Sequence, residues 1–225
     1  YKHVKTDWRA FLPKTFSWLS ELSFGEQKAF ESNAAYVVPV QKKEDGSVQF
    51  FWGPFAAEET KKEAEASQKI LSKNASISCV TVVSGSLFAF VPVTKLAVAM
   101  SQKARQVGID AFSALKQIEP EKIIFCSEGE LSSEDLFDGF AQASYELVSF
   151  KNNEKTTKLP KNVSFCSESF VEAVLKDRAK LIQGSCLCRM VADAPPNWMN
   201  SERFAEIAEG ISKELGIKCT VWGRE

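Results

Sequence analysis

Cysteine is the most reactive residue type in this chain, at Cys79, Cys126, Cys166, Cys186, Cys188 and Cys219. A thiolate can act as a nucleophile, ligate zinc or enter a disulfide, and each use has its own spacing. The closest pair, Cys186 and Cys188, is spaced i, i+2, which is not a zinc-knuckle spacing and turns the two side chains apart on a helix. Six cysteines would suggest a disulfide framework in a small secreted protein. Here they fall within expected strands and helices, in a chain long enough to bury a core without covalent staples. The expectation is six reduced, mostly buried thiols in a reducing compartment, and hence a cytoplasmic protein.

Acid–base candidates are sparser still. The one histidine is His3, in the N-terminal stretch, which removes Ser-His-Asp triads, Cys-His dyads and His-ligated zinc as readings. Glu128, Glu130, Glu134 and Asp135 lie close together, but they bracket an expected helix N-terminus, where the helix dipole favours acidic residues. Glu58, Glu59, Lys61, Lys62, Glu63 and Glu65 read as the solvated face of a helix. Arg178 falls within an apolar stripe and is expected to make a contact, either by snorkelling or with an acidic group outside this chain. Ser84-Gly85-Ser86 is a lone turn with no phosphate-cradle pattern around it. Neither a Gly-x-Ser-x-Gly elbow nor a carboxylate set with metal-ligand spacing occurs. No catalytic, cofactor-binding or metal-ligating residue is therefore assigned.

The 225 residues carry 28 Lys+Arg against 29 Asp+Glu, a net charge of −1 that lacks the basic footprint of a nucleic-acid binder. The longest apolar stretch, Leu87 to Val93, is of strand length and is interrupted by Pro92. No membrane or nucleic-acid partner is expected.

Element signals then place these residues. Ala35–Gln41 and Val48–Trp52 are β-rich and flank Asp45-Gly46, a hairpin signal. Gly53-Pro54 is expected to open a charged helix running to about Ser72. Ile77–Val83 and Leu87–Val93 read as neighbouring strands, Thr94–Lys116 as a helix with a soft spot at Gly108, and Lys122–Cys126 as a short buried strand. Ser132 with Asp135 is an N-cap signal for a helix reaching about Phe150. The first 33 residues are aromatic-rich without a clean period and are expected to wrap a core. This order makes an α/β unit with a mixed β-sheet flanked by helices. Lys151–Pro160 reads as an exposed loop, so the first domain is drawn as residues 1–160 and the second as 161–225. In the second, Phe170, Val171, Val174, Leu175, Leu181, Ile182 and Cys186 are expected to line one side of a long helix from Ser167. Ala194-Pro195-Pro196 ends it. A further helix runs from Asn200 as N-cap to Gly216, and Ile217–Trp222 is expected to be a strand.

Two stretches carry a family resemblance. Arg189-Met190-Val191-Ala192-Asp193-Ala194-Pro195-Pro196-Asn197-Trp198-Met199-Asn200-Ser201-Glu202 resembles the R-D-L-V-N-T-P-x-N-x-L-T-P-E segment of the leucyl aminopeptidase (cytosol aminopeptidase) family, with Pro195, Asn197 and Glu202 matching. Met190, Asp193 and Ala194 depart from it. Gly139–Lys151 is similar to the family segment that closes the N-terminal domain, although Val148-Ser149 replaces its usual basic-acidic pair, and Lys213–Lys218 is similar to a helix-to-strand turn. The resemblance implies a macro-domain-like first unit, a long linking helix and the opening of an incomplete second α/β domain. It also implies that the chain is the non-catalytic front half of a dinuclear metallopeptidase that removes N-terminal residues from peptides. Two divalent ions, zinc or manganese, would belong to the catalytic domain beyond these residues, with no cofactor in the residues given. The implied partners are that domain and the other subunits of a family hexamer, and peptide substrate would bind only through the catalytic domain. Two alternatives stand beside this: a macro-like module that binds a nucleotide such as ADP-ribose, and an inactive paralogue with a purely structural role.

Overall fold

The structure, a computed structural model, describes residues 8–71, 77–94, 96–146 and 157–223. The expectations that concern His3 and most of Lys151–Pro160 lie outside them, whereas the helix expected to run from Ser132 to about Phe150 already ends at Ala143.

After a short 3-10 turn at Trp8–Phe11, the described residues form α1 (Lys14–Glu21), β1 (Ser23–Glu26), β2 (Ala35–Lys42), β3 (Val48–Phe50), α2 (Glu58–Leu71), β4 (Cys79–Val83) and β5 (Ser86–Pro92). Then follow α3 (Met100–Leu115), β6 (Lys122–Cys126), α4 (Ser133–Ala143), β7 (Asn162–Cys166), α5 (Glu172–Asp193) and α6 (Ser201–Leu215). The strands make one seven-stranded mixed sheet in the order β1-β7-β6-β2-β5-β4, with β3 paired to β2. β1, β7, β6, β2 and β5 run parallel, while β4 and β3 are antiparallel to β5 and β2.

Strand periodicity divides the core into two layers. Along β2, Ala35 and Val37 face α3, α4, α1 and α5, joining Val107, Phe112, Leu136, Phe137, Phe140, Trp18 and Leu175. Tyr36, Val38 and Val40 face the other way, toward α2, and join Trp52, Phe55, Ala64, Phe88 and Phe90. Strands covered on both faces read as near-continuous apolar runs, as KIIFC and LFAFV do.

Several expectations are corrected. Gly53-Pro54 does not open a helix: Gly53 has φ +60 and sits in a turn, and α2 starts only at Glu58. The helix expected from Thr94 begins at Met100. Gly108 is a contact rather than a soft spot, because a Cβ there would lie 2.1 Å from the Leu136 carbonyl oxygen. A Cβ at Gly139 would lie 1.9 Å from the Arg105 carbonyl oxygen, so the two glycines let α3 and α4 cross backbone to backbone. Residues 217–222 form no strand: they are exposed, with no strand beside them among the described residues. Three elements have no counterpart in the sequence reading: α1, β1 and β7. Strand β7 lies past the boundary drawn at residue 160, yet it pairs with β1 and β6 inside the sheet.

α5 begins at Glu172 rather than at Ser167, and it ends at Asp193, with Ala194 as its C-cap before the proline pair, as expected. Its buried face is Leu175, Ala179, Ile182, Cys186 and Met190, at helical spacing. Leu181, expected on that face, is 69% exposed, since it sits one residue from Ile182 and so about 100° round the helix. Asn200 caps α6, its Oδ1 accepting from the Arg203 amide at 2.8 Å, and Gly216 closes the helix in the left-handed region.

Candidate functional site

In open α/β sheets a ligand normally binds outside the carboxyl ends of the parallel strands. Here that edge is crossed by the chain itself. After β3, the segment from Phe51 to Ala57 runs over the ends of β2, β6, β7 and β1. The Phe51 amide donates to the Pro39 carbonyl at 3.0 Å, and the Ala56 amide donates to the Lys28 carbonyl at 3.1 Å. Gly53 lies so close to the strand ends that a Cβ would come within 2.5 Å of both the Ser127 and Cys166 carbonyl oxygens. Trp52 and Phe55 fill the space beneath, their ring centroids 5.5 Å apart, with Phe55 edge-on to Tyr36 at 5.3 Å. Helix α2 holds this plug: the Trp52 indole donates to Glu65 Oε1 at 2.9 Å, and Lys61 Nζ lies 6.0 Å from the Phe55 ring centre. Lys61 and Glu65, expected on a solvated face, are thus turned partly inward.

Under the plug lie Cys126 and Cys166, direct register partners on β6 and β7, both buried. Both thiols lie on the α2 side of the sheet, in the same core layer as Tyr36, Trp52 and Phe55. The neighbouring Cys166 thiol and burial hold the Cys126 thiol well above its ordinary value. The other cysteines stand apart. Cys186 is buried with its thiol pushed up to about 11 by desolvation, and Cys188 is exposed on the opposite side of α5. All six are free thiols in the structure.

The remaining candidates resolve into structural contacts. Asp135 caps α4 through Ser132, whose Oγ accepts from the Asp135 amide at 3.2 Å, and its carboxylate takes Arg105 Nη2 at 2.9 Å. Glu128 and Glu130 are exposed. Arg178 neither snorkels nor waits for a group outside the chain: its Nη1 donates to buried Asp138 Oδ2 at 3.1 Å, joining α5 to α4. Burial raises the Asp138 carboxyl above its ordinary value, with Arg178 and Arg105 opposing. The turn Ser84-Gly85 is the β4–β5 hairpin connection, at the amino ends of β2 and β5. A nucleotide reading would need a cradle at the carboxyl edge, which the plug covers. Among the described residues no group of three or more His, Cys, Asp or Glu is placed to hold a metal ion. No helix among them is long and apolar enough to cross a membrane.

The two stretches that carried the resemblance meet in space. The Arg189 guanidinium lies 3.8 Å from the Tyr145 ring centre and donates to the Gln142 carbonyl at 3.0 Å. The Tyr145 hydroxyl donates to Asp193 Oδ2 at 3.1 Å. They form a latch between the end of α4 and the last turns of α5. Beyond it, α5 and α6 enclose an open apolar groove of about 330 Å³ lined by Leu187, Val191, Phe204, Ile207 and Ile211.

The fold has solved counterparts, although no protein-family model matches the chain and no curated protein sequence does. Among solved structures, the chain is similar to a tomato leucine aminopeptidase mutant, K354E, with TM-score 0.68 and 16% identity, over 87% of this chain and 43% of that one. It is also similar to the bottromycin maturation enzyme BotP, solved in complex with Mn, with TM-score 0.61 and 10% identity, over 85% of this chain and 38% of that one. At these identities the likeness is one of fold. The chain spans less than half the length of these structures.

Proposed function

We propose that this chain is the non-catalytic N-terminal region of a leucyl-aminopeptidase-like metallopeptidase, and that it packs against a catalytic unit and supports assembly of the oligomer. Removal of N-terminal residues from peptides, and the two zinc or manganese ions it needs, would belong to that unit. The observation that carries the reading is the extent of the structural match. Residues through Cys166 make up less than three quarters of the chain, so a likeness over 87% of it takes in helices beyond the sheet as well. A shared sheet alone would not extend so far. The apolar groove between α5 and α6 supports the packing role, since faces of that kind are where proteins meet other structure. The free thiols are in keeping with a reducing, cytoplasmic setting.

The transcript downstream of the Glu225 codon tests this. A continuing frame that encodes a clustered Lys, Asp and Glu metal set is the expected result, and a frame without one overturns the reading. The 225-residue chain by itself is expected to show no chelator-sensitive hydrolysis of leucine-p-nitroanilide with added Mn²⁺ or Zn²⁺. Chelator-sensitive turnover above a mock preparation would place the chemistry in this chain instead.

A further inference from the structure

We propose that Cys126 and Cys166 form a peroxide-responsive dithiol that closes reversibly to a disulfide between β6 and β7. The two residues are direct partners in a parallel ladder, and both side chains point to the α2 face of the sheet. Neighbouring strands lie about 4.8 Å apart, which falls inside the Cα separation of about 4.4–6.8 Å that disulfides span. Both side chains are fully buried in one layer of the core. Lys61, whose side chain is only 16% exposed, supplies a positive charge on the same side, and Lys28 a second, with Glu26 opposing them at Cys166. The Lys28 charge acts on Cys166 rather than Cys126, so Cys166 is assigned as the attacking thiol and Cys126 as the resolving one.

The oxidant is hydrogen peroxide, small enough to reach a buried pair through local opening of the Phe51–Ala57 plug. The Cys166 thiolate attacks one peroxide oxygen, so an S–O bond forms, the O–O bond breaks and hydroxide leaves, becoming water with the proton that the Cys166 thiol had released. Cys126 Sγ then attacks Cys166 Sγ. The S–S bond forms, the S–O bond breaks, and the hydroxyl departs as water with the Cys126 proton. Two thiols lose two electrons and one peroxide becomes two waters. The product bridges neighbouring strands directly beneath Gly53 and the plug, so oxidation would also register in the covering segment.

The full chain carrying Cys188→Ser and Cys219→Ser keeps Cys79, Cys126, Cys166 and Cys186 and removes the two exposed thiols. After peroxide under native conditions, quenching and alkylation in denaturant, two alkylated thiols are expected instead of four, with a crosslinked Cys126–Cys166 peptide and full recovery by dithiothreitol. Adding Cys126→Ser should leave a dimedone adduct at Cys166 with no crosslink. Four alkylated thiols after peroxide, or a bond joining any other pair, overturns the proposal.

Discussion

A methyl group at Gly108 would meet the α4 backbone, and one at Gly139 would meet that of α3. Neither neighbour is a flexible side-chain end, so the helices themselves must separate. Gly108→Ala should therefore cost about 2–3 kcal/mol of folding stability, as overpacking does. Gly184, mid-way along α5, has nothing within 4 Å of a Cβ. Gly184→Ala should stabilise by about 0.5–1 kcal/mol through helix propensity, and urea unfolding of the two variants would reveal the opposite signs. Equal effects would mean that α3 and α4 are not in backbone contact. Asp138 gives a pH signature at the same scale. Its carboxyl is raised in the folded state by burial, so its contribution is fully present below the ordinary carboxylate value of about 4 and is lost as pH rises through the folded value. Asp138→Asn has no such proton to lose. The stability of that variant minus that of the parent should climb from about pH 4 and level off above the folded value. A difference that shrinks with pH would mean that Arg178 and Arg105 outweigh burial.

At the scale of elements, legibility follows how much of an element's signal is its own. Lys122–Cys126 is covered on both faces and reads as an unbroken apolar run, and Asn200 and Gly216 announce α6 by capping chemistry at each end. β7 has no such run: Ser164 stands at its centre, inside a segment that follows a polar loop. It is a strand because β6 offers it a partner. β1, with Phe24 as its one large apolar side chain, is in turn recruited by β7. These contacts are long-range, so no local window contains them. The plug was unreadable for the same reason. Gly53-Pro54 is compatible with a helix start, and only the carbonyls of Ser127 and Cys166, more than seventy residues on, require the turn instead. In α5 the expected and observed faces differ in phase, and the difference is testable. Leu175→Ala and Ile182→Ala should each cost about 2–4 kcal/mol. Leu181→Ala, on the exposed side, should change stability by less than about 0.5 kcal/mol, as read by thermal or urea denaturation. A large loss at Leu181 would place that side chain against structure in solution.

For the whole molecule, the distribution of burial sets the order in which parts open. The sheet unit closes two cores around strands such as Ile123–Cys126, which are fully buried. α6 buries one side chain, Ile207, and leaves Phe204 55% exposed. Peripheral ties around it include an ion pair between Arg9 and Glu214, the Phe11–Trp198 ring contact at 4.4 Å, and Arg203 over Trp198 at 5.3 Å. Exposed ion pairs of that kind add little, and segments with few buried apolar contacts open at low free-energy cost. The end of the chain continues the trend, with Trp222 91% exposed. In a monomeric sample, amides of α6 should therefore exchange with solvent far faster than those of β6. The latch of Tyr145, Arg189 and Asp193 fixes where the change begins. α5 up to Met190 belongs to the sheet unit and should exchange slowly on its buried side, with protection falling beyond Ala194. The apolar groove adds a concentration dependence, because a second copy covering Phe204 and Ile211 would slow exchange in α6 and leave β6 unchanged. Hydrogen exchange at two protein concentrations, with light scattering on the same samples, separates these cases. Protection of α6 equal to that of β6 in a sample shown to be monomeric would mean that residues beyond Ala194 are held by the sheet unit as firmly as its own helices.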